Sequence, residues 1–249
     1  MLANINDLET LTPYDEMGEL DKWILNVASN VFTDVHKSFS NYNFVHGMNT
    51  LNNFIANELS GMYIDMTKDS LYCDGKDSKT RRGSQSAMAI ILKPLLMLLA
   101  PVITYTADEI FDQLPAFLKG DAEDIFDMVY APIDAPASLF EETYMAEARN
   151  QFSIIVDALK KEKTIKDTLE LVIYAESEKV KALDRTDAED WFQVSKVIFH
   201  DEADELGSFE VEGDKFKILK ADKSKCPRCW KFRASAEDCL CERCAEVMA

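Results

Sequence analysis

A chain of 249 residues, 47% of them hydrophobic, can hold one large or two moderate domains with real cores. Its net charge of −18 and pI near 4.6 argue against a nucleic-acid surface spread over the whole molecule. The most apolar run, AMAIILKPLLMLLAPVITY, is broken by Lys93, Pro94 and Pro101, so it reads as a buried core helix and no segment reads as transmembrane.

In chain order, the first half is helical. Leu20, Trp23, Ile24, Val27, Val31 and Val35 recur at helical spacing, with Glu19 and Asp21 near the start. A second stripe runs through Val45, Met48, Leu51, Phe54, Ile55, Leu59, Met62, Tyr63 and Met66 to the turn-forming CDGKDSKT. The third helix starts near Arg81, with Pro94 as a kink and Pro101 as a stop. TADE has the capping-box spacing, Thr106 to Glu109, and predicts a short fourth helix. Helices of this length on short loops make a bundle.

After Pro132 and Pro136 the pattern changes. EETYMAEARNQFSIIVDALKKEKT is another amphipathic helix, LELVIYA and SKVIFH are strands, and SFEVEGDKFKILKA is a hairpin turning at Gly213-Asp214. ESEKVKALDR and DAEDWFQV are short helices between them. The fold class is therefore multidomain and mainly α: a helical domain over 1–135, a small α/β module over 136–222 and a tail over 223–249.

Five of the six cysteines fall within nineteen residues of that tail. Cys226 and Cys229, then Cys241 and Cys244, form two C-x-x-C pairs separated by eleven residues, a spacing that lets four thiolates close a tetrahedron around one zinc ion. Cys239 stands in a C-x-C that suits this geometry less well and is the spare. A disulfide framework is the competing reading; the absence of a signal-peptide pattern and the isolated Cys73 point instead to a reducing, cytoplasmic compartment. Four thiolates leave no open position, so the zinc is expected to be structural, and its binding free energy of about 10–16 kcal/mol would fold a tail too short for its own core.

The tail's entry is basic. Lys215, Lys217, Lys220, Lys223, Lys225, Arg228, Lys231 and Arg233 face only Asp222 over positions 215 to 233, which reads as either a patch for an anionic partner or a solvated strand and loop. DAEDIFD and DEADE lack the glycine-punctuated loop of a calcium site and read as solvated faces. His36, His46 and His200 are scattered, so no hydrolytic triad is expected.

YDEMGELDKWIL, YNFVHGMNTLNNFIANELSGMYIDMTKDSLY, RRGSQSAMAIILKPLLMLLAPVITYTADEIFDQLP, then KCPRCW and LCERCAEV, together resemble, in this order, the C-terminal part of the bacterial isoleucyl-tRNA synthetases. The likeness covers nearly the whole chain. The helical half is shared more loosely with the valyl and leucyl enzymes of class I, and the cysteine tail points to isoleucine. One departure is KTIKDTLE, where the resemblance implies an Ile-Gly-x-Ser-like turn. His-Ile-Gly-His and Lys-Met-Ser-Lys-Ser, the ATP-site signatures of the class, are absent, and no Gly-rich phosphate loop replaces them. The resemblance thus implies a piece of a larger ligase, non-catalytic alone, with catalytic and editing domains upstream and no catalytic residue here.

By resemblance the bundle is an anticodon-binding domain that grips the anticodon arm of isoleucine tRNA, and the zinc tail helps fix the anticodon region. Such a protein is expected to be a cytoplasmic monomer without membrane attachment. Trp230, flanked by Arg228, Lys231 and Arg233, offers an aromatic surface for stacking among cations, which is the favoured reading; a lid over the zinc thiolates is the competing one, and the two are compatible. Arg81 and Arg82 stand at a helix start, where a cation pair gains nothing from the helix dipole. They read as phosphate contacts or as partners of Asp65, Asp69 or Asp77. Lys68, near a helix end, is a weaker candidate for the tRNA-binding set. The alternative function is a stand-alone zinc-bearing module for nucleic acid or protein.

Overall fold

The computed structural model describes residues 1–135, 138–200 and 204–249. Pro136, and Asp201, Glu202 and Ala203 of the DEADE cluster, lie outside the described residues. Packing divides the chain into two units: Met1–Leu71 with Lys76–Ser138, and Leu139–Ala249 with the short segment Tyr72–Gly75.

The first unit is the expected helical bundle. Helix α1 (Glu19–Ser40) buries Leu20, Trp23, Ile24, Leu25, Ala28, Phe32 and Val35. Its seam therefore passes through Ala28 and Phe32, and Val27 and Val31 lie at its half-buried margin. Fully burying large apolar side chains stabilises by roughly 1.5–3 kcal/mol each, several times what an exposed helical ion pair contributes. The second apolar stripe is not one regular helix. Helix α2 (Phe44–Phe54) continues into a π-helix over Ile55–Tyr63, then α3 (Ile64–Met66) and α4 (Lys68–Cys73). The buried residues Leu51, Phe54, Leu59, Tyr63 and Met66 explain this, because the five-residue step from Phe54 to Leu59 keeps both on the core face only if the helix widens there. Val45, expected in the stripe, is 76% exposed because it precedes the first core-facing turn.

Ser78 caps helix α5 (Lys79–Leu99), accepting from the Arg81 backbone N–H, and Pro94 lies inside the helix. Asp21 of α1 is buried among Tyr63 Oη at 2.6 Å, Ser84 Oγ at 3.0 Å and the α1 N-terminus. Gly83 is required here, since a Cβ would come within 2.7 Å of the Asp21 carboxylate. Helix α6 (Thr104–Asp112) begins two residues before the predicted cap. Thr106 is thus inside the helix, and the predicted capping box does not form. Helix α7 (Ala116–Lys119) follows. In DAEDIFD, Asp124 and Asp127 close a capping box around the turn Ile125–Asp127, a structural use for those carboxylates.

The second unit carries α8 (Glu142–Lys161), α9 (Glu178–Lys181) and α10 (Arg185–Phe192) with a sheet of β1 (Leu171–Glu176), β2 (Lys196–Ile198), β3 (Gly207–Val211) and β4 (Asp214–Lys220) in the order β2-β1-β4-β3. The β1–β2 pair is parallel and the others antiparallel. The hairpin turns on Glu212 and Gly213, at φ 53° and 93°, so Asp214 already belongs to β4. Where KTIKDTLE departs from the expected turn, Asp167 caps a short 3-10 helix, Thr168–Glu170, that leads into β1. The tail adds β5 (Ser224–Lys225), antiparallel to β6 (Phe232–Ala234), and α11 (Glu242–Met248).

Candidate metal centre and nucleic-acid interface

The β5–β6 turn holds Cys226 and Cys229, and α11 brings Cys241 as its N-cap and Cys244 in its first turn. Within the turn, the Trp230 N–H donates to the Cys226 carbonyl and the Cys226 N–H to the Lys231 carbonyl, both at 3.0 Å. All four cysteines are buried, with their sulfurs within 4.8 Å of one another. A tetrahedral zinc with Zn–S near 2.3 Å requires sulfur edges of about 3.8 Å, and Cys229 Sγ lies 3.7 Å from Cys241 Sγ. The four residues fit one divalent ion and leave no vacant position, so a bound metal would serve structure rather than catalysis. Cys239 is exposed and outside the quartet.

The electrostatics of the quartet are divided. Burial pushes the Cys226 thiol up, but backbone N–H groups of Cys229, Cys241 and Arg228 outweigh it and bring the group down to about 6. Burial pushes Cys229 and Cys241 up, with Cys241 and Cys244 adding to the rise at Cys229. Sulfurs crowded in this way repel one another as anions; a cation held between them removes the conflict.

Around this quartet the predicted contact residues part company. Trp230 is 61% exposed, at φ +65°, with Lys225 Nζ 5.2 Å from its ring. Arg228 turns to the segment Tyr72–Gly75, donating to the Cys73 and Tyr72 carbonyls and to Cys244 Sγ at 3.5 Å. Cys73 packs beside the quartet. Arg243 joins Asp74 of the same segment at 3.1 Å. Lys231, expected among the RNA contacts, is 3% exposed and directed at Asp190 (3.2 Å) and Glu189 (3.9 Å), a buried position where it meets carboxylates and not solvent. Arg233 pairs with Glu189 and donates through Nε to the Ser195 carbonyl at 2.6 Å. Sequence reasoning missed these partners; DAEDWFQV carries the two carboxylates, Glu189 and Asp190, but nothing local says which face of α10 meets the tail.

In the bundle, Arg81 donates to Asp7 (2.9 Å), the Leu71 carbonyl (3.2 Å) and the Lys76 carbonyl (2.9 Å). Arg82 donates to the Asp7 carbonyl (2.9 Å), Gln85 (3.0 Å) and Asp77 (3.2 Å). Of the carboxylates weighed for this pair, Asp77 is engaged, and Asp7 was not foreseen. Lys68 pairs with Asp65 at 2.6 Å on an exposed helix face. No helix among the described residues is long and apolar enough to cross a membrane.

A helical bundle running into an α/β module and a thiolate knuckle is the architecture on which comparison with known families can be read. The profile of the anticodon-binding domain of tRNA ligases matches residues 21–175, and the chain belongs to that family. Along its whole length it is similar to isoleucine–tRNA ligases: 61% identical over 248 residues to that of Sulfurimonas denitrificans, 56% to that of Nitratiruptor sp. and 53% to that of Sulfurovum sp.. In each case all of this chain is covered, and it spans 27% of the length of the curated relative.

Proposed function

We propose that this chain is the C-terminal, tRNA-holding region of an isoleucine–tRNA ligase, in which it binds the anticodon arm of isoleucine tRNA while catalytic and editing parts elsewhere in the longer protein carry out activation and proofreading. One structural zinc ion is held by Cys226, Cys229, Cys241 and Cys244 and fixes the knuckle on which Trp230 is presented. Trp230 stacks on an unpaired base, and the exposed lysines of the same stretch, Lys220, Lys223 and Lys225, meet phosphates. Arg228, Lys231 and Arg233 act from behind, fixing the knuckle, and Arg81 and Arg82 tie the N-terminal segment to α5. Lys68 stays a peripheral phosphate contact. The enzyme works as a cytoplasmic monomer.

The observation that carries this reading is an exposed tryptophan beside a buried cysteine quartet, 61% exposed against at most 8%, in a chain of the anticodon-binding family. Zinc-loaded chain should bind isoleucine tRNA more tightly than a tRNA with a different anticodon, at both low and moderate salt, with affinity falling as salt rises. Equal binding of the two tRNAs would refute the isoleucine assignment.

A further inference from the structure

We infer that Asp190 and Glu189 of α10, with Ser195, are positioning residues for Trp230: they form a second clamp on the knuckle, besides the cysteine quartet, that sets the direction in which the indole is presented. The three residues after Trp230 are each gripped. Lys231 Nζ reaches Asp190 at 3.2 Å, the Phe232 N–H donates to Ser195 Oγ at 2.6 Å, and Arg233 takes Glu189 and the Ser195 carbonyl. Before Trp230, the chain is fixed by Cys226 and Cys229. The tryptophan is the exposed residue between two anchors, in a left-handed conformation that a bulky side chain adopts only where its surroundings impose it. Glu189, Asp190 and Lys231 are each no more than 5% exposed, so the clamp is shielded from the salt that weakens surface pairs. The β5–β6 pairing and the Cys226 N–H bond to the Lys231 carbonyl set the hairpin itself; the clamp ties that hairpin to α10 and fixes the direction in which it points. Only the naming of RNA as the ligand rests on the proposed function.

The zinc-loaded chain, 15N-labelled, provides the test, because two of its three tryptophans serve as controls. Trp191 is fully buried, donates to the Met145 carbonyl at 2.9 Å and reports the seating of α10, and Trp23 reports the bundle. In Asp190→Ala and in Lys231→Met, the order parameter at the Trp230 backbone N–H should fall from about 0.85 toward 0.6, with zinc content and the Trp191 indole signal unchanged. Affinity for an anticodon stem–loop of isoleucine tRNA should drop about threefold to tenfold, within the loss that removing a stacking aromatic causes. Asp190→Ala combined with Trp230→Ala should lose no more than Trp230→Ala alone, since both act through one side chain. An unchanged order parameter in both variants means the cysteine quartet and the β5–β6 hairpin hold the tryptophan by themselves and overturns the inference. A Trp191 signal that moves with Trp230 in both overturns it as well, because the cluster then supports the module as a whole; so do additive affinity losses. If the parent chain binds no RNA, the proposed function fails, while the order parameters still decide whether the clamp exists.

Discussion

Trp230 stands at φ +65°, where a bulky residue is strained by about 1–3 kcal/mol. Trp230→Gly should therefore give a zinc-loaded protein about 1 kcal/mol more stable than Trp230→Ala, measured by thermal melting, although both bind tRNA more weakly. The same stability for the two variants would mean the turn relaxes once the indole is gone. At the quartet, Cys241→Ser should lose zinc and Cys239→Ser should keep a full equivalent, read by metal analysis of the purified proteins; the reverse pattern would exchange the two ligands. The cysteine quartet was legible because C-x-x-C is a local pattern, whose geometry is set by a turn of four residues. The fate of Lys231 was not, because its partner Asp190 is 41 positions away and only the fold brings a carboxylate to it. Arg81 is a like case, with Asp7 at a separation of 74. A cation near an aromatic in sequence looks the same whether it faces solvent or a buried acid.

Among the elements, α1 carries a carboxylate in the core. Burial pushes Asp21 up to about 6, against the opposing hydrogen bonds of Tyr63 and Ser84. Its ordinary value is 3.8, so the folded form holds its proton more tightly than the unfolded form. The sign follows: the stability this group contributes is fully present below about pH 4 and is lost as pH rises through 6. Asp21→Asn, whose amide oxygen accepts the same two hydroxyls, should match the parent near pH 4 and exceed it by about 2–3 kcal/mol above pH 7. Thermal melts of both proteins across that range check it; a constant difference would mean the carboxylate is ionised throughout. Helix α5 offers a second measurement. Arg81→Ala removes one partner of Asp7, which keeps Gln85 and Arg82, and the donor to two carbonyls, and should cost about 1–3 kcal/mol, or several degrees in melting temperature. A variant with unchanged melting but a shallower salt dependence of tRNA binding would restore Arg81 to the phosphate contacts. Helix identity was readable from apolar periodicity, and so, in principle, was the π-helix from the Phe54-to-Leu59 step. The start of α6 was misread because Thr106 and Glu109 match a local rule, while Thr104, bonded to the Ala100 carbonyl at 2.8 Å, continues the turn that Pro101 opens.

For the whole molecule, the net charge is −18 despite a basic stretch in the second unit. Under the proposed function, long-range attraction to tRNA would be weak, and specificity would rest on short-range stacking and shape. With neither ATP-site signature present, the chain alone should give no isoleucine-dependent pyrophosphate exchange above a buffer control; measurable exchange would require a triphosphate site that the sequence does not encode. The segment Tyr72–Gly75 adds a consequence in time. Its carbonyls are held by Arg228, 155 positions later in the chain than Cys73. A ribosome adding about 5–20 residues per second makes the second partner roughly 8–30 s after the first. Through that interval water solvates the waiting strip, so the knuckle closes over a segment that left the ribosome well before it.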